Sequence, residues 1–193
     1  MVTTLVIENS ANPGSLVLAT QGAVIRERNF HGSGELAAEV AGALELVAHL
    51  DEIIVGIGPG SYTGLRVGIA TAFGLSLATG SQRFGCPSVL GFEETDYVVI
   101  GDARRGSIFF ARVASSVITD GPRLLPKTDL SDLGAHPAIP LFAVGPIPEL
   151  SSVKVKAPSA RFLLGRKASY TSLIEPIYLK EPHITKPREA AGS

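Results

Sequence analysis

Short apolar runs separated by turn formers open the chain. Leu5-Val6-Ile7 marks a strand over Thr4 to Glu8, and Asn9 to Gly14, rich in Asn, Ser, Pro and Gly, closes it as a turn. Leu16-Val17-Leu18 marks a second strand, Ser15 to Thr20. Gln21-Gly22 is a tight connection to a third, Ala23 to Phe30. His31-Gly32-Ser33-Gly34 then breaks the meander, with Ser33 placed to cap a helix. Leu36, Val40, Leu44 and Val47 recur at spacings of four and three, which predicts that helix over Glu35 to His49. Ile53-Ile54-Val55-Gly56-Ile57 is an unbroken apolar run between that helix and a glycine loop, the signature of a buried central strand over Glu52 to Ile57. Gly58 to Gly64 is the loop, and Leu65 to Thr79 is a second helix. The order is β-β-β-α-β-α.

The second half repeats this theme weakly. Tyr97 to Gly101 is a strand, Asp102-Ala103-Arg104-Arg105-Gly106 a turn, and Ser107 to Ala114 the hairpin partner. Leu141 to Val144 is a further buried strand, Arg161 to Lys167 a short helix, and Thr185 to Ser193 a frayed tail.

The helix at 65–79 departs from the usual surface pattern. Residues 53–82 hold one charged side chain, Arg66. The helix therefore lacks the polar arc of a solvated face. Gly64, Gly68, Ala72 and Ser76 form one row of small residues, and Ala70, Gly74 and Ala78 form another. Leu65, Ile69, Phe73 and Leu77 form a bulky ridge between them. Neighbouring backbones can thus approach on two sides. One side packs on the sheet. The other meets either the second half of the chain or another protein, and a short chain has little material left to cover it. A lone charge beside such a segment needs a partner, so Arg66 is expected to cap a buried feature, paired with a carboxylate such as Glu52 or Glu39 or with several carbonyls.

Composition narrows the function classes. The 193 residues suit one compact domain or two small lobes, and 45% hydrophobic with 18% charged is a globular mixture. Net charge is −1, split as −6 over residues 1–100 and +5 over 101–193. The basic residues of the second part are scattered, which reads as solvated surface rather than a nucleic-acid patch. One cysteine, Cys86, excludes a disulfide framework and a cysteine-built zinc site. With neither a signal peptide nor an apolar run of about 18 residues, a cytoplasmic protein is expected.

No catalytic set emerges from the motifs. Gly58-Pro59-Gly60-Ser61-Tyr62-Thr63-Gly64 follows a strand and opens a helix, where amides attract anions. Thr63 stands where the dinucleotide fingerprint needs glycine or alanine, and no Gly-Lys-Ser/Thr follows. The loop therefore reads as a tight connection capped by Ser61 or Thr63. His31, His49, His136 and His183 share no ligand spacing, and no Gly-x-Ser-x-Gly elbow exists. Glu8 and Asp102 each end an apolar strand, and Asp102 is placed to accept backbone N–H bonds or to pair with Arg104 or Arg105. Cys86 precedes Pro87, with only Arg83 near in sequence to activate a thiolate.

The stretch from Gly58 through Leu65-Arg66-Val67-Gly68, with the small-residue helix after it, strongly resembles the bacterial TsaB (YeaZ) family. Asp102 to Gly106 and Pro176-Ile177-Tyr178-Leu179-Lys180 are supporting matches in the family's order. The resemblance implies an α/β fold of the actin-like, sugar-kinase-like (ASKHA) type, built as two small β-β-β-α-β-α lobes. Residues 1–83 would form the first lobe, 84–180 a reduced second lobe and 181–193 a tail. It implies a non-catalytic scaffold without cofactor or metal, acting in the formation of N6-threonylcarbamoyladenosine at position 37 of tRNA. Its partners would be a TsaD-type transferase, a TsaE-type ATPase in the assembled complex, a second copy of itself, and tRNA indirectly. The alternative is an actin-like ATP-binding or glycoprotease-type enzyme. The first strand ends in Glu8-Asn9-Ser10 where the family has Asp-Thr-Ser, which argues further against a bound nucleotide. The expected pairing face is a bundle of the two first-lobe helices, through Leu36, Val40, Leu65, Gly68, Ile69, Ala72, Phe73 and Ser76. Gly58 to Gly64, Arg66, Asp102 and Arg104 are the expected motif residues.

Overall fold

The computed structural model describes residues 1–129 and 139–179. Two five-stranded sheets carry the chain. The first contains β1 (Thr3–Glu8), β2 (Gly14–Thr20), β3 (Ala23–Phe30), β4 (Glu52–Gly56) and β5 (Gln82–Cys86), in the order β3-β2-β1-β4-β5. The second contains β6 (Tyr97–Asp102), β7 (Ser107–Ala114), β8 (Val117–Pro126), β9 (Leu141–Ala143) and β10 (Lys154–Val155), in the order β10-β9-β6-β7-β8. Each sheet has an antiparallel meander on one side of its founding strand and parallel partners on the other. The two orders are the same, so the second half repeats the first more fully than its sequence pattern indicates. This is the actin-like, sugar-kinase-like fold.

Helices α1 (Gly32–Leu44) and α2 (Tyr62–Thr79) cover one face of the first sheet. Leu5, Ile7, Leu16, Leu18, Ile53 and Val55 point to them, while Val6, Val17, Ala19 and Ile54 point the other way. That second face shares a core with Tyr97, Val99, Phe109, Ala111, Val113 and Phe142 of the second sheet and with α3 (Ala160–Leu163). Strand β1 is buried on both faces, which explains its unbroken apolar run.

Several boundaries differ from expectation. Helix α1 begins at Gly32 with His31 as N-cap residue, not Ser33, and Glu35 reaches back to accept the His31 N–H at 2.6 Å. It ends at Leu44, not His49, because the chain tightens there: the N–H groups of Leu46 and Val47 bond to the carbonyls of Ala43 and Leu44. The expected first-lobe limit at 83 falls inside β5, which pairs with β4 from Glu52↔Gln82 to Gly56↔Cys86. Strands β5 and β8 were missing from the sequence pattern, since Gln82-Arg83 and Thr119-Asp120-Gly121-Pro122 break any apolar rhythm. The short helix expected over 161–167 is α3 followed by a 3-10 turn at Lys167–Ser169. The tail at 181–193, with His183, and also His136, lie outside the described residues.

The seating of α2 depends on two missing side chains. A Cβ on Gly64 would stand 2.0 Å from the Asn9 carbonyl oxygen, and one on Gly60 2.3 Å from that of Ser10. A Cβ on Gly74, by contrast, would meet nothing within 4 Å. Gly64→Ala should therefore lose about 2 kcal/mol of stability, because a backbone oxygen cannot yield. Gly74→Ala should gain up to about 1 kcal/mol from helix propensity. Urea unfolding of the two variants checks both signs.

Candidate functional site

The loop between β4 and α2 and the outer side of α2 form the candidate site. Ser61 caps the helix, its Oγ accepting the Gly64 N–H at 3.2 Å, as the sequence predicts for one of two candidates. The Ser61 N–H donates to the Ser10 carbonyl at 2.7 Å, and the Gly58 N–H donates to Ser88 Oγ at 3.0 Å. The Asn9 side-chain amide donates to the Gly64 carbonyl at 3.0 Å. The amides of Gly58, Ser61 and Gly64 are thus bonded within the chain. Pro59, Tyr62 and Thr63 complete the loop, and Thr63 is exposed.

Glu8 lies beneath this loop and is 1% exposed. Its Oε1 accepts the Ser10 N–H at 2.6 Å, while Oε2 forms no hydrogen bond. Burial raises the carboxyl above its ordinary range, against the opposing hydroxyl and N–H of Ser10 and the hydroxyl of Ser88. Cys86 beside it is buried, and desolvation with the neighbouring Glu8 pushes its thiol up to about 12. A thiol so disposed stays protonated and unreactive.

The expected pairing residues fall on two opposite sides of the helices. Leu36, Val40, Leu65, Gly68, Ala72 and Ser76 are buried inside the chain itself, so six of the eight are core, not contact surface. The reason is the glycine row: Gly64 and Gly68 press α2 onto Asn9, Ile7 and Val55, which turns Ala72 and Ser76 inward with them. Ile69 is half-buried and Phe73 is exposed. The outer stripe consists of Ile69, Ala70, Phe73, Gly74, Leu77 and Ala78, with Leu77 83% exposed. It carries no charge. Arg83 lies over the Phe73 ring at 4.1 Å and donates to Ser76 Oγ at 2.9 Å, fixing that ring from the side.

Arg66 is exposed and does not pair with Glu52 or Glu39. Its guanidinium donates to the Tyr62 hydroxyl at 2.9 Å and lies 5.3 Å from that ring. Glu39 instead bonds Arg26 at 2.7 Å, and Glu52 accepts from Thr4. Tyr62 stacks at 5.1 Å with Tyr178, and Pro176 and Tyr178 close an open groove of about 410 Å³ against Tyr62, Arg66, Ile69 and Ala70. Two of the sequence motifs, the one at 58–68 and the described part of the other at 176–179, therefore meet at one end of the stripe. Nothing in the local pattern of either motif signals that contact. The third motif occupies the β6–β7 turn, where Asp102 Oδ1 accepts the Arg104 N–H at 3.1 Å as its position predicted, and lies 3.5 Å from Lys127 Nζ. No group of three or more metal-ligating side chains occurs among the described residues.

The two matching sheets and the loop-capped α2 define a protein of the actin-like, sugar-kinase-like class. Residues 35–121 match the family model of TsaD, tRNA N6-adenosine threonylcarbamoyltransferase. The chain is 33% identical over 156 residues to Rv3421c of Mycobacterium tuberculosis, covering 75% of this chain and 71% of that one. It superposes on YeaZ from Pseudomonas aeruginosa with a TM-score of 0.67 at 21% identity, covering 93% and 100% of the two chains. The ethanolamine utilization protein EutJ of Carboxydothermus hydrogenoformans shares the fold at a TM-score of 0.50 and 12% identity, over 86% and 89%. The chain belongs to the TsaB/YeaZ-type family, within the wider threonylcarbamoyladenosine biosynthesis family.

Since Arg66, among the described residues, bonds to an exposed neighbour on its own helix, Arg66→Ala should change the unfolding free energy by less than about 0.5 kcal/mol. Chemical denaturation of the purified chain reads this directly, and a loss of several times that size would restore a buried partner.

Proposed function

We propose that this chain is a non-catalytic scaffold that pairs with a TsaD-type transferase and supports formation of N6-threonylcarbamoyladenosine at position 37 of tRNA. The charge-free outer stripe of α2 carries the reading. Six neighbouring positions, Ile69, Ala70, Phe73, Gly74, Leu77 and Ala78, offer apolar or small side chains on the outer side of an 18-residue helix. Small residues let a second helix approach to about 8 Å, where dispersion contacts are dense. A helix of this length is about 27 Å long and about 10 Å wide. It supplies roughly a third of the ~800 Å² that a stable interface takes from each partner. Exposed Ala37, Ala38 and Ala41 of α1, which touches α2, and Leu46 just after it extend the surface.

In this reading the same stripe serves a second copy of the chain in the homodimer. A TsaE-type ATPase joins the assembled pair, tRNA is met through the complex, and the setting is the cytoplasm. The internal bonding of the loop amides and the buried Glu8 support a role without nucleotide chemistry. No helix among the described residues is long and apolar enough to cross a membrane.

The test separates the two sides of α2. Gly74→Glu and Leu77→Glu lie on the open side and should give a folded protein by circular dichroism that elutes as a monomer and fails to retain the co-expressed transferase. Ala72→Glu lies on the sheet side and should unfold, since an unpaired buried charge costs about 3–5 kcal/mol. If the two outer variants keep both kinds of pairing, the stripe is not the interface. Micromolar ATP binding in a calorimetric titration would favour the enzymatic alternative instead.

A further inference from the structure

Three loops converge on the end of β1, and the side chain at their meeting point is a buried acid with no cation beside it. Glu8 Oε1 holds the Ser10 N–H at 2.6 Å. Its Oε2 and the Ser10 Oγ are both buried without a hydrogen bond. A Cβ placed on Gly56 would stand 1.9 Å from Glu8 Oε2 and 2.8 Å from Ser88 Oγ. The carboxyl tip therefore fills a notch that only a glycine at 56 leaves open, next to the Ser88 hydroxyl. Ser88 in turn accepts the Gly58 N–H at 3.0 Å and donates its own N–H to the Gly58 carbonyl at 2.8 Å. Ser10 accepts the Ser61 N–H at 2.7 Å. Glu8 thus touches, through Ser10 and Ser88, both anchors of the loop that starts α2.

We propose that Glu8 is a proton-held clasp: as a neutral acid it fills the notch beside Gly56 and keeps the β1–β2 turn, the β4–α2 loop and Ser88 together, and its ionisation loosens the seat of α2. The argument is one of compensation. A buried carboxylate needs a cation or several donors; among the described residues no cation reaches this one, and its donors are one N–H and the hydroxyls of Ser10 and Ser88, which burial outweighs. Protonation of Oε2 removes the charge that those donors only partly compensate. The other elements packed against it bring no charge. β4 presents Gly56, which has no side chain, and β5 presents the neutral Cys86 thiol. Arg166 acts on Cys86 but is occupied by the carbonyls of Leu90 and Phe92 at 3.2 and 2.9 Å. Among the described residues no charged side chain contributes to the shift at Glu8. This device would operate whether or not the outer stripe of α2 has a partner.

The sign of the effect follows from linkage. The folded pKa lies above the ordinary 4.5. The stability held by the proton is therefore complete below that value and is lost as pH climbs toward the folded pKa. Over that window the unfolding constant gains up to about tenfold per pH unit. The experiment compares the full chain with Glu8→Gln, which keeps the shape and stays neutral, by thermal unfolding and amide exchange between about pH 5 and about pH 9. The wild type should lose ground to Glu8→Gln as pH rises. Its amides at Gly58 to Gly64 should lose protection faster than those of Glu8→Gln, after correction for intrinsic exchange. Carboxyl carbon NMR of the wild type gives an independent reading that needs no variant, and Glu8 is expected to titrate above the ordinary 4.5. Parallel pH profiles for the two proteins overturn the proposal. So does a Glu8 that titrates at or below the ordinary value in the NMR experiment, or rescue of alkaline stability by potassium or magnesium, which would make the two bare oxygens a cation site.

Discussion

The close approach of α2 to the β1–β2 turn is the contact on which the rest depends. It requires hydrogen in place of side chains at Gly60 and Gly64, where a Cβ would strike the carbonyls of Ser10 and Asn9. Once these two backbones touch, the helix has one possible rotation. The row that continues from Gly64 through Gly68, Ala72 and Ser76 must face the sheet, and a helix turns about 100° per residue. Phe73 and Leu77 are then carried outward. The apolar outer stripe is thus a consequence of how α2 is seated.

Sharing of one core between the two sheets supplies the second constraint. Val6, Val17 and Ile54 of the first sheet pack with Val99, Phe109 and Phe142 of the second. Phe92 stacks on Phe142 at 5.5 Å, and the Tyr97 hydroxyl is buried but satisfied by the Val89 carbonyl at 2.6 Å. Rotation of one sheet against the other would expose these rings. The first sheet therefore presents its helix-covered face outward. The second sheet's outer face packs Ile100, Ile108, Phe110, Ala143 and Ile147, with the described connection from β9 to β10 built on a 3-10 turn at Pro148–Leu150 where the first sheet has α2. Among the described residues the repeat is complete in its strands, and a 3-10 turn takes the place of α2.

Much of this was legible in the sequence, and the failures share a cause. β1, β2, β4, β6, β7 and β9 were readable because burial on one or both faces forces apolar periodicity, and the edge strand β3 because the tight Gln21-Gly22 connection ties it to β2. β5 and β8 were not, because an edge strand satisfies its pairing through backbone groups and tolerates Arg83 or Pro122. The two rows of small residues on α2 were visible, but which row faced the sheet was not, since Gly64-Gly68-Ala72 and Ala70-Gly74-Ala78 look alike in composition. The distinction lies in Asn9 and Ser10, more than fifty residues away, whose carbonyls meet only one row. Arg66 failed for the opposite reason. A lone charge in an apolar segment suggests a buried ion pair, yet its place on the exposed flank lets Tyr62 and water serve it.

A helix beginning after a strand and a glycine loop ordinarily leaves four N–H groups and the positive end of its dipole to attract an anion. Here part of that demand is met from within. Ser61 Oγ takes the Gly64 N–H, the Ser10 carbonyl takes that of Ser61, and Ser88 Oγ takes that of Gly58. Glu8 fills the space beneath in a form without a counter-cation. A phosphate binding at these three amides would have to displace their partners, and amides that lose equally good partners return little net free energy. The end of β1 and the start of α2 form a bonded joint in this chain, and the far side of α2 is the surface left outside it.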